Sequence, residues 1–305
     1  MYRTNFDFVI EKAKAAKKPL RVVIAGADAE NILKGAFQAE AEGFVELTLL
    51  GDEEKITAIL QELGLADRKY TIVNTTDYHN VVQDAIDLIK AGKADALMRG
   101  NTQTRDFLLP VLDKANGLMI PGRLLTHINL MKMPDYDRLL AISDVTIIPV
   151  PDMNQRKQVV RNMTETLERL GYDKPNIALL SMVEKPIFRM PHTVEAQTIA
   201  NEHAEHPIAN CNLVGPIAYD LVISKEAARL KNFDCPYCGE FDGIVVPRLS
   251  IGNLLVKALH MHANAQSCGI IVGANVPIAI TSRADPPEEA YLSLAMCVAL
   301  PARIV

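Results

Sequence analysis

The chain has 305 residues, of which 49% are hydrophobic and 23% charged, with a formal net charge of -5. That length provides for two domains at roughly 100–200 residues each, or for one large α/β unit, and the apolar content excludes extensive disorder. A net acidic chain offers no basic field for a phosphate backbone, so nucleic acid is not an expected partner. The N-terminal stretch mixes acids and aromatics with apolar residues and only then turns basic, the reverse of an export signal. Arg21–Ala25 reads as a strand, followed by Gly26-Ala27-Asp28 and a helical pattern over Asn31–Glu42. Val45–Leu50 is a second strand, and Glu53–Leu63 a helix with Ile56, Ile59, Leu60 and Leu63 on one face. Tyr70–Asn74 then precedes a helix over His79–Lys90, and Ala94–Met98 one over Thr104–Lys114. Short apolar runs alternating with amphipathic helices indicate βαβ units and a mainly parallel sheet.

Near residue 130 the rhythm changes. His127–Met133 and Leu139–Pro149 read as strands joined by too few residues for a crossover helix, which implies antiparallel pairing and a domain boundary. The alternation then resumes: helix Gln155–Leu170, strand Ile177–Ser181, helix His192–His203, strand end Leu213–Pro216, helix Ser224–Lys231 and strand Gly243–Pro247. Helix Leu254–Ala265, strands Gly269–Val272 and Val276–Thr281, and helix Glu288–Leu300 complete the chain. The richest apolar run, Ile270–Thr281, is broken by Gly273, Asn275 and Pro277 and falls short of the ~18 residues that span a bilayer. The chain is expected to be cytoplasmic, without membrane association.

In open parallel sheets, ligands bind beyond the carboxyl ends of strands. Gly26-Ala27-Asp28, Gly215-Pro216, Ser250-Ile251-Gly252-Asn253 and Thr281–Asp285 are such ends, each combining small and polar residues. The usual nucleotide loops, the G-x-S-x-G elbow and H-E-x-x-H are all missing. Asp285 suits a helix N-cap, Pro286 the first helical position and Glu288 a capping box, so these acids could be caps alone. Arg283 follows an apolar strand and precedes a helix start, where a guanidinium makes a bidentate oxyanion clamp; the alternative is a salt bridge to Asp285 or a neighbouring loop.

The five cysteines are odd in number and too few for a disulfide framework. Cys235-Pro236-Tyr237-Cys238 could form half of a zinc site, with His203, His206 or Cys211 as further ligands, or a redox pair; the alternative is reduced loop cysteines with no metal. Cys268 and Cys297, within apolar runs, read as buried hydrophobes.

Gly215–Asp220 (GPIAYD), Ile251-Gly252-Asn253 and Gly273–Ile278 leading into Thr281–Asp285 (TSRAD) resemble, in order and spacing, the phosphate acetyl/butyryltransferase family. Ala94–Leu109 and His127–Gln155 are similar to its N-terminal lobe and crossover region. The resemblance spans nearly the whole chain, and the length is nearer the butyryl and branched-chain branch than the acetyl branch. It implies a two-lobed, three-layer α/β/α fold like that of isocitrate/isopropylmalate dehydrogenases. The first lobe would comprise residues 1–130 and 283–305 and the second 131–282, with the active-site cleft between them. It also implies a homodimer or higher homo-oligomer, and a reaction between acyl-CoA and phosphate giving acyl phosphate and CoA. Coenzyme A is then a substrate, with no tightly bound cofactor and no metal.

By this resemblance Arg283 binds phosphate and developing charge, and Ser282 donates to the reacting groups. Glu289, seven positions after Ser282, takes the thiol proton, with Glu288 and Asp285 as competitors. Gly215, Pro216, Asp220, Gly252 and Asn253 shape the substrate site. Arg248 stands where relatives carry an acid and could add a phosphate contact. The remaining alternatives are a phosphate acetyltransferase, a dehydrogenase of the same fold, and a metal-regulated or non-catalytic two-lobed relative.

Overall fold

The computed structural model describes residues 3–75, 77–78 and 80–300. The chain divides into two compact units, one of Phe6–Leu125 with the chain from Cys268 onward, the other of Thr126–Ser267 with the N-terminal residues through Asn5.

The first unit opens with helix α1 (Asp7–Lys14), strand β1 (Leu20–Ala25), helix α2 (Glu30–Ala41), strand β2 (Val45–Gly51) and helix α3 (Glu53–Glu62). Strand β3 (Tyr70–Asn74), helix α4 (Val81–Lys90), strand β4 (Ala96–Arg99) and helix α5 (Thr104–Val111) follow. His79, the expected start of α4, lies outside the described residues. Val22–Ala25 and all of β4 are buried, as strands covered on both faces require. α2 buries Ile32, Leu33, Ala36 and Phe37 at helical spacing. Asp52 caps α3, its carboxylate accepting from Lys55 N–H at 3.2 Å. β1 pairs in parallel with β2 and β4, and β2 with β3.

The second unit runs through strands β5 (Thr126–Lys132) and β6 (Leu139–Ser143), helix α6 (Met153–Leu170), strand β7 (Asn176–Ser181), helix α7 (Pro191–Glu205) and strand β8 (Asn212–Ala218). Helices α8 (Tyr219–Ile223) and α9 (Lys225–Lys231), strand β9 (Gly243–Val245) and helix α10 (Leu249–Ala263) complete it. β5 and β6 are antiparallel, Asn129 facing Ile142, as the short connection demands. β6, β9, β7 and β8 then pair in parallel in that order. α6 begins with a capping box between Asp152 and Gln155 and ends at Gly171 in the left-handed region. Met131, Leu140, Ile142, Ala178, Ile217, Leu221, Phe241 and Ile244 form the core.

Strand β10 (Gln266–Val272), strand β11 (Ile278–Ala279) and helix α11 (Pro287–Ala299) end the described chain. β11 lies antiparallel to β10 and parallel to β4. β1, β4 and β11 therefore deliver their carboxyl ends to one edge. α2 and α11 meet at Gly35, where a Cβ would lie 2.2 Å from the Pro287 carbonyl oxygen and 2.8 Å from the Ala290 Cβ.

Several expected boundaries move. The strand expected over Leu139–Pro149 ends at Ser143, and the one over Val276–Thr281 shrinks to Ile278–Ala279. Val145, Ile148 and Ile280, beyond those ends, are buried in non-strand conformation, which a hydrophobic run cannot reveal. Helix α10 starts at Leu249, earlier than the expected Leu254, which takes Gly252 and Asn253 out of a loop and into the helix. Among the described residues no helix is long and apolar enough to cross a membrane.

Candidate active site

The segment from Thr281 to Glu289 leaves β11 and enters α11. Ser282 and Asp285 close a tight turn: the Asp285 carboxylate accepts the Ser282 N–H at 2.6 Å, and the Ser282 carbonyl accepts the Asp285 N–H at 3.1 Å. This corrects the cap reading of Asp285. α11 begins two residues later, at Pro287, and Pro286 occupies its N-cap position with no side-chain cap. Two consecutive prolines push the preceding residues into extended backbone, so the turn is finished before the helix begins. Glu288 is exposed in the first turn, and no capping box forms there. Glu289 is buried, and its charge, after burial itself, raises the Cys268 thiol well above its ordinary range.

Arg283 projects from the turn with its guanidinium exposed. Among the described residues it forms no ion pair, and its Nη2 donates only to Gln103 Oε1, at 3.3 Å. The turn is anchored from α2, where Asn31 Nδ2 donates to the Asp285 carbonyl at 2.8 Å and the Arg283 carbonyl at 3.4 Å.

At the same edge a second arginine ends β4. Arg99 is buried, at 6% exposure, and its Nε and Nη2 both donate to the Thr102 carbonyl, at 3.1 and 2.6 Å. Its Nη1 donates to the Thr281 carbonyl at 3.3 Å, immediately before Ser282. Burial, and then the neighbouring charge of Arg283, bring its pKa down to about 10, with Asp285 opposing. Among the described residues the buried hydroxyls of Thr102 and Thr281 have no hydrogen-bond partner, nor does Oδ1 of Asp28 beyond β1. The edge thus carries two guanidiniums, the Ser282 hydroxyl and two threonine hydroxyls with no acceptor among the described residues, an arrangement suited to an oxyanion, with the Asp28 carboxylate as an acceptor beside them.

The other expected site residues belong to the second unit. Gly215 and Pro216 lie within β8, and Asp220 is exposed in α8. Lys231 pairs with Asp220 at 2.9 Å, and this hydrogen bond holds the carboxyl below its usual range. Gly252 is buried against the end of β6: a Cβ there would approach Val145 Cγ1 and Val246 Cγ2 to 3.0 Å and the Asp144 carbonyl to 3.1 Å. Asn253 donates to the Val145 carbonyl at 3.3 Å, so both residues tie α10 to the segment after β6. Arg248 is exposed at the N-cap of α10; with burial and Arg156 it lowers the pKa of the His192 imidazole.

Cys235 and Cys238 share a turn, and burial together with Cys235 pushes the Cys238 thiol up to about 12. Among the described residues no third metal-ligating side chain joins them. His203 is committed elsewhere: its Nε2 contacts the Cys211 carbonyl at 3.0 Å, and its Nδ1 accepts from Ile208 N–H at 3.1 Å.

A family model described as phosphate acetyl/butaryl transferase matches residues 77–298, which include Arg99 and the whole segment from Thr281 to Glu289. The chain belongs to that family. A phosphate butyryltransferase from Clostridium acetobutylicum is 30% identical over 96% of each chain. A phosphate acetyltransferase from Rhizobium meliloti is 32% identical over 98% of this chain and 94% of its own. The crystal structure of a branched-chain phosphotransacylase from Enterococcus faecalis V583 superposes with a TM-score of 0.78 at 28% identity, covering 92% of this chain and 99% of that one. The mixed α/β fold is thus shared with solved members of the phosphate acetyl/butaryl transferase family.

The sequence assigns no role to Arg99 or Asn31, which the structure brings to the turn. Arg99 carried a signal, a charge closing an apolar strand just before Gly100; Asn31 carried none, being one of many polar residues at a helix start.

Proposed function

We propose that this chain transfers a short acyl group between coenzyme A and inorganic phosphate, acyl-CoA + phosphate giving acyl phosphate + CoA. The observation that carries the reading is the exposed Arg283 guanidinium, without an ion pair among the described residues, beside Ser282 beyond the end of β11. A guanidinium held this way is available to a phosphate or acyl phosphate as a two-pronged donor. In the direction of thioester synthesis the CoA thiolate attacks the acyl-phosphate carbonyl carbon. The C–S bond forms, the C–O bond to phosphorus breaks, and phosphate departs with the electron pair. Arg283 neutralises the charge gathering on phosphate, and the Ser282 hydroxyl donates to the oxyanion of the tetrahedral intermediate. The thiol, with a pKa near ~8.5 by analogy with cysteine, needs a proton acceptor.

Glu289 is our candidate for that acceptor. It is a buried carboxylate in the first turn of α11, whereas Asp285 is committed to the Ser282 amide and Glu288 is exposed. Gly215, Pro216, Asp220, Gly252, Asn253 and Arg248 are proposed to contribute to substrate binding. Gly252 and Asn253 act there through the backbone they hold, and Arg248 as a further cation for an anionic substrate. We assign no metal to Cys235 and Cys238, and coenzyme A enters as a substrate. We further propose that the chain works in the cytoplasm as a homodimer or higher homo-oligomer.

Within the family the acyl group is assigned to butyryl or branched short chains, on the likeness to the C. acetobutylicum and E. faecalis proteins. The likeness to the R. meliloti acetyltransferase favours acetyl as the second reading. Phosphate-dependent thiol release from acetyl-, propionyl-, butyryl-, isobutyryl- and isovaleryl-CoA tests both. Fastest release from the four- and five-carbon thioesters is expected, and no release from any of the series rejects the activity.

A further inference from the structure

We propose that Arg99, with the Thr102 and Thr281 hydroxyls, forms the inner wall of a phosphate site whose mouth is Arg283, and that this site binds the free dianion without any thioester. The inference rests on the transacylase reading but concerns a residue which that chemistry did not require.

Arg99 lies deep for a cation, at 6% exposure, and among the described residues no carboxylate comes within ion-pairing distance of it. Burying an unpaired charge is costly, and proteins accept that cost where the charge meets a ligand or is needed to hold one. A guanidinium has five N–H donors. The carbonyls of Thr102 and Thr281 account for three of them, one each from Nε, Nη1 and Nη2. One N–H on each terminal nitrogen is left, and these two are available to an oxyanion.

The second observation is independent of the first. The residues whose carbonyls hold Arg99 each bury a hydroxyl with no partner among the described residues: Thr102, 5% exposed, and Thr281, 8% exposed. Unsatisfied buried hydroxyls are uncommon and mark places where a ligand or water supplies the acceptor. Here two of them flank one unpaired cation, and Thr281 lies one residue from Ser282 and two from Arg283. Through the Thr281 carbonyl Arg99 also fixes the start of the Ser282–Asp285 turn, so it both receives the anion and positions Arg283 over it.

The test measures phosphate binding apart from turnover. Thermal unfolding of the full chain is followed against inorganic phosphate, with chloride at equal ionic strength as control, and phosphate KM is measured by thiol release. For wild type, phosphate should raise Tm where chloride does not; no such rise overturns the site even if the chain is active. In Arg99→Met, half-maximal stabilisation should need at least about ten-fold more phosphate, the equivalent of one charged hydrogen bond. Phosphate KM should rise in parallel, with the KM for acyl-CoA held within about two-fold. A folded Arg99→Met variant with the wild-type phosphate response overturns the inference.

Should that variant not fold, the Thr102→Val, Thr281→Val double variant keeps side-chain shape and the arginine while deleting both hydroxyls. It should need about three-fold or more phosphate, and a wild-type response from it overturns the inference. The two readings fail separately. Absence of thiol release in wild type removes the transacylase reading but leaves the phosphate Tm shift to be judged on its own.

Discussion

At the scale of single residues, Arg283 has the most to lose by substitution. Among the described residues its exposed guanidinium pairs with no acid and hydrogen-bonds only to Gln103, so removing it breaks little of the fold. Deleting one donor to a developing oxyanion commonly lowers rate by ~10²–10³. Arg283→Ala is therefore expected to reduce kcat/KM for phosphate-dependent thiol release at least ~10²-fold, with circular dichroism and Tm unchanged. Arg283→Lys should recover only part of the loss, since an ammonium supplies the charge but not the planar fork. Near-wild-type kinetics in Arg283→Ala would remove this residue from the mechanism. The alternative left open by the sequence, a salt bridge to Asp285, is not formed; Asp285 spends its carboxylate on the Ser282 amide instead. That outcome was not legible in TSRADPPEE, because whether an aspartate caps a helix or a turn depends on backbone angles that two prolines shift by one or two positions.

At the scale of elements, the site depends on how closely α11 lies against α2. Gly35 allows that approach, its missing side chain leaving room for the Pro287 carbonyl and Ala290. Gly35→Ala would drive a methyl into backbone at 2.2 Å, and overpacking of this kind costs roughly 1–3 kcal/mol, with α11 displaced. Because Asn31, on the same helix as Gly35, holds the Ser282–Asp285 turn, the displacement should reach Arg283. We expect Gly35→Ala to lower Tm and to raise phosphate KM together. A loss of Tm with unchanged phosphate KM would show that helix packing and turn position are uncoupled.

The elements themselves were largely legible. Strand–helix alternation at spacings of five and ten or more residues announced β1 to β4 and the helices between them, because buried parallel strands are short apolar runs. The antiparallel β5–β6 pair was legible from the short connection alone. Not legible were the two-residue β11 and the early start of α10. A run such as Val276–Thr281 is apolar because it is buried, and burial fixes no particular backbone geometry. Gly252 and Asn253 look like loop residues by propensity, but packing against Val145 and Val246 selects a helix there.

At the scale of the whole molecule, one buried acid of the second unit, Asp242, joins several elements and carries a pH-dependent contribution to stability. Asp242, beside β9, accepts from Arg138 Nη1 at 3.0 Å and from Asn176 N–H at 2.9 Å, while its own backbone bonds Ala141 N–H and the Asn176 carbonyl. Arg138 also reaches Glu240 at 3.1 Å, and the Tyr136 hydroxyl donates to the Phe241 carbonyl at 2.7 Å. The approaches to β6, β7 and β9 thus converge on a single carboxylate. Burial raises the Asp242 pKa, against the hydrogen bond from Asn176 and the charge of Arg138. Arg138→Ala would leave a buried carboxylate without its cation, a loss on the order of 3 kcal/mol at neutral pH.

The sign of the pH effect follows. With the folded-state pKa raised above the unfolded value of about 3.9, the ionised acid disfavours the fold, and protonation on acidification relieves that penalty. Removing Arg138 raises the folded-state pKa further. The deficit of the variant relative to wild type should therefore be greatest near pH 7 and shrink toward about pH 4 in urea unfolding. Adding Asp242→Asn to Arg138→Ala should recover part of the stability at pH 7 and abolish most of the pH dependence of the deficit. A deficit constant from pH 7 to 4 would mean that Arg138 acts through packing and Glu240, not through the charge of Asp242.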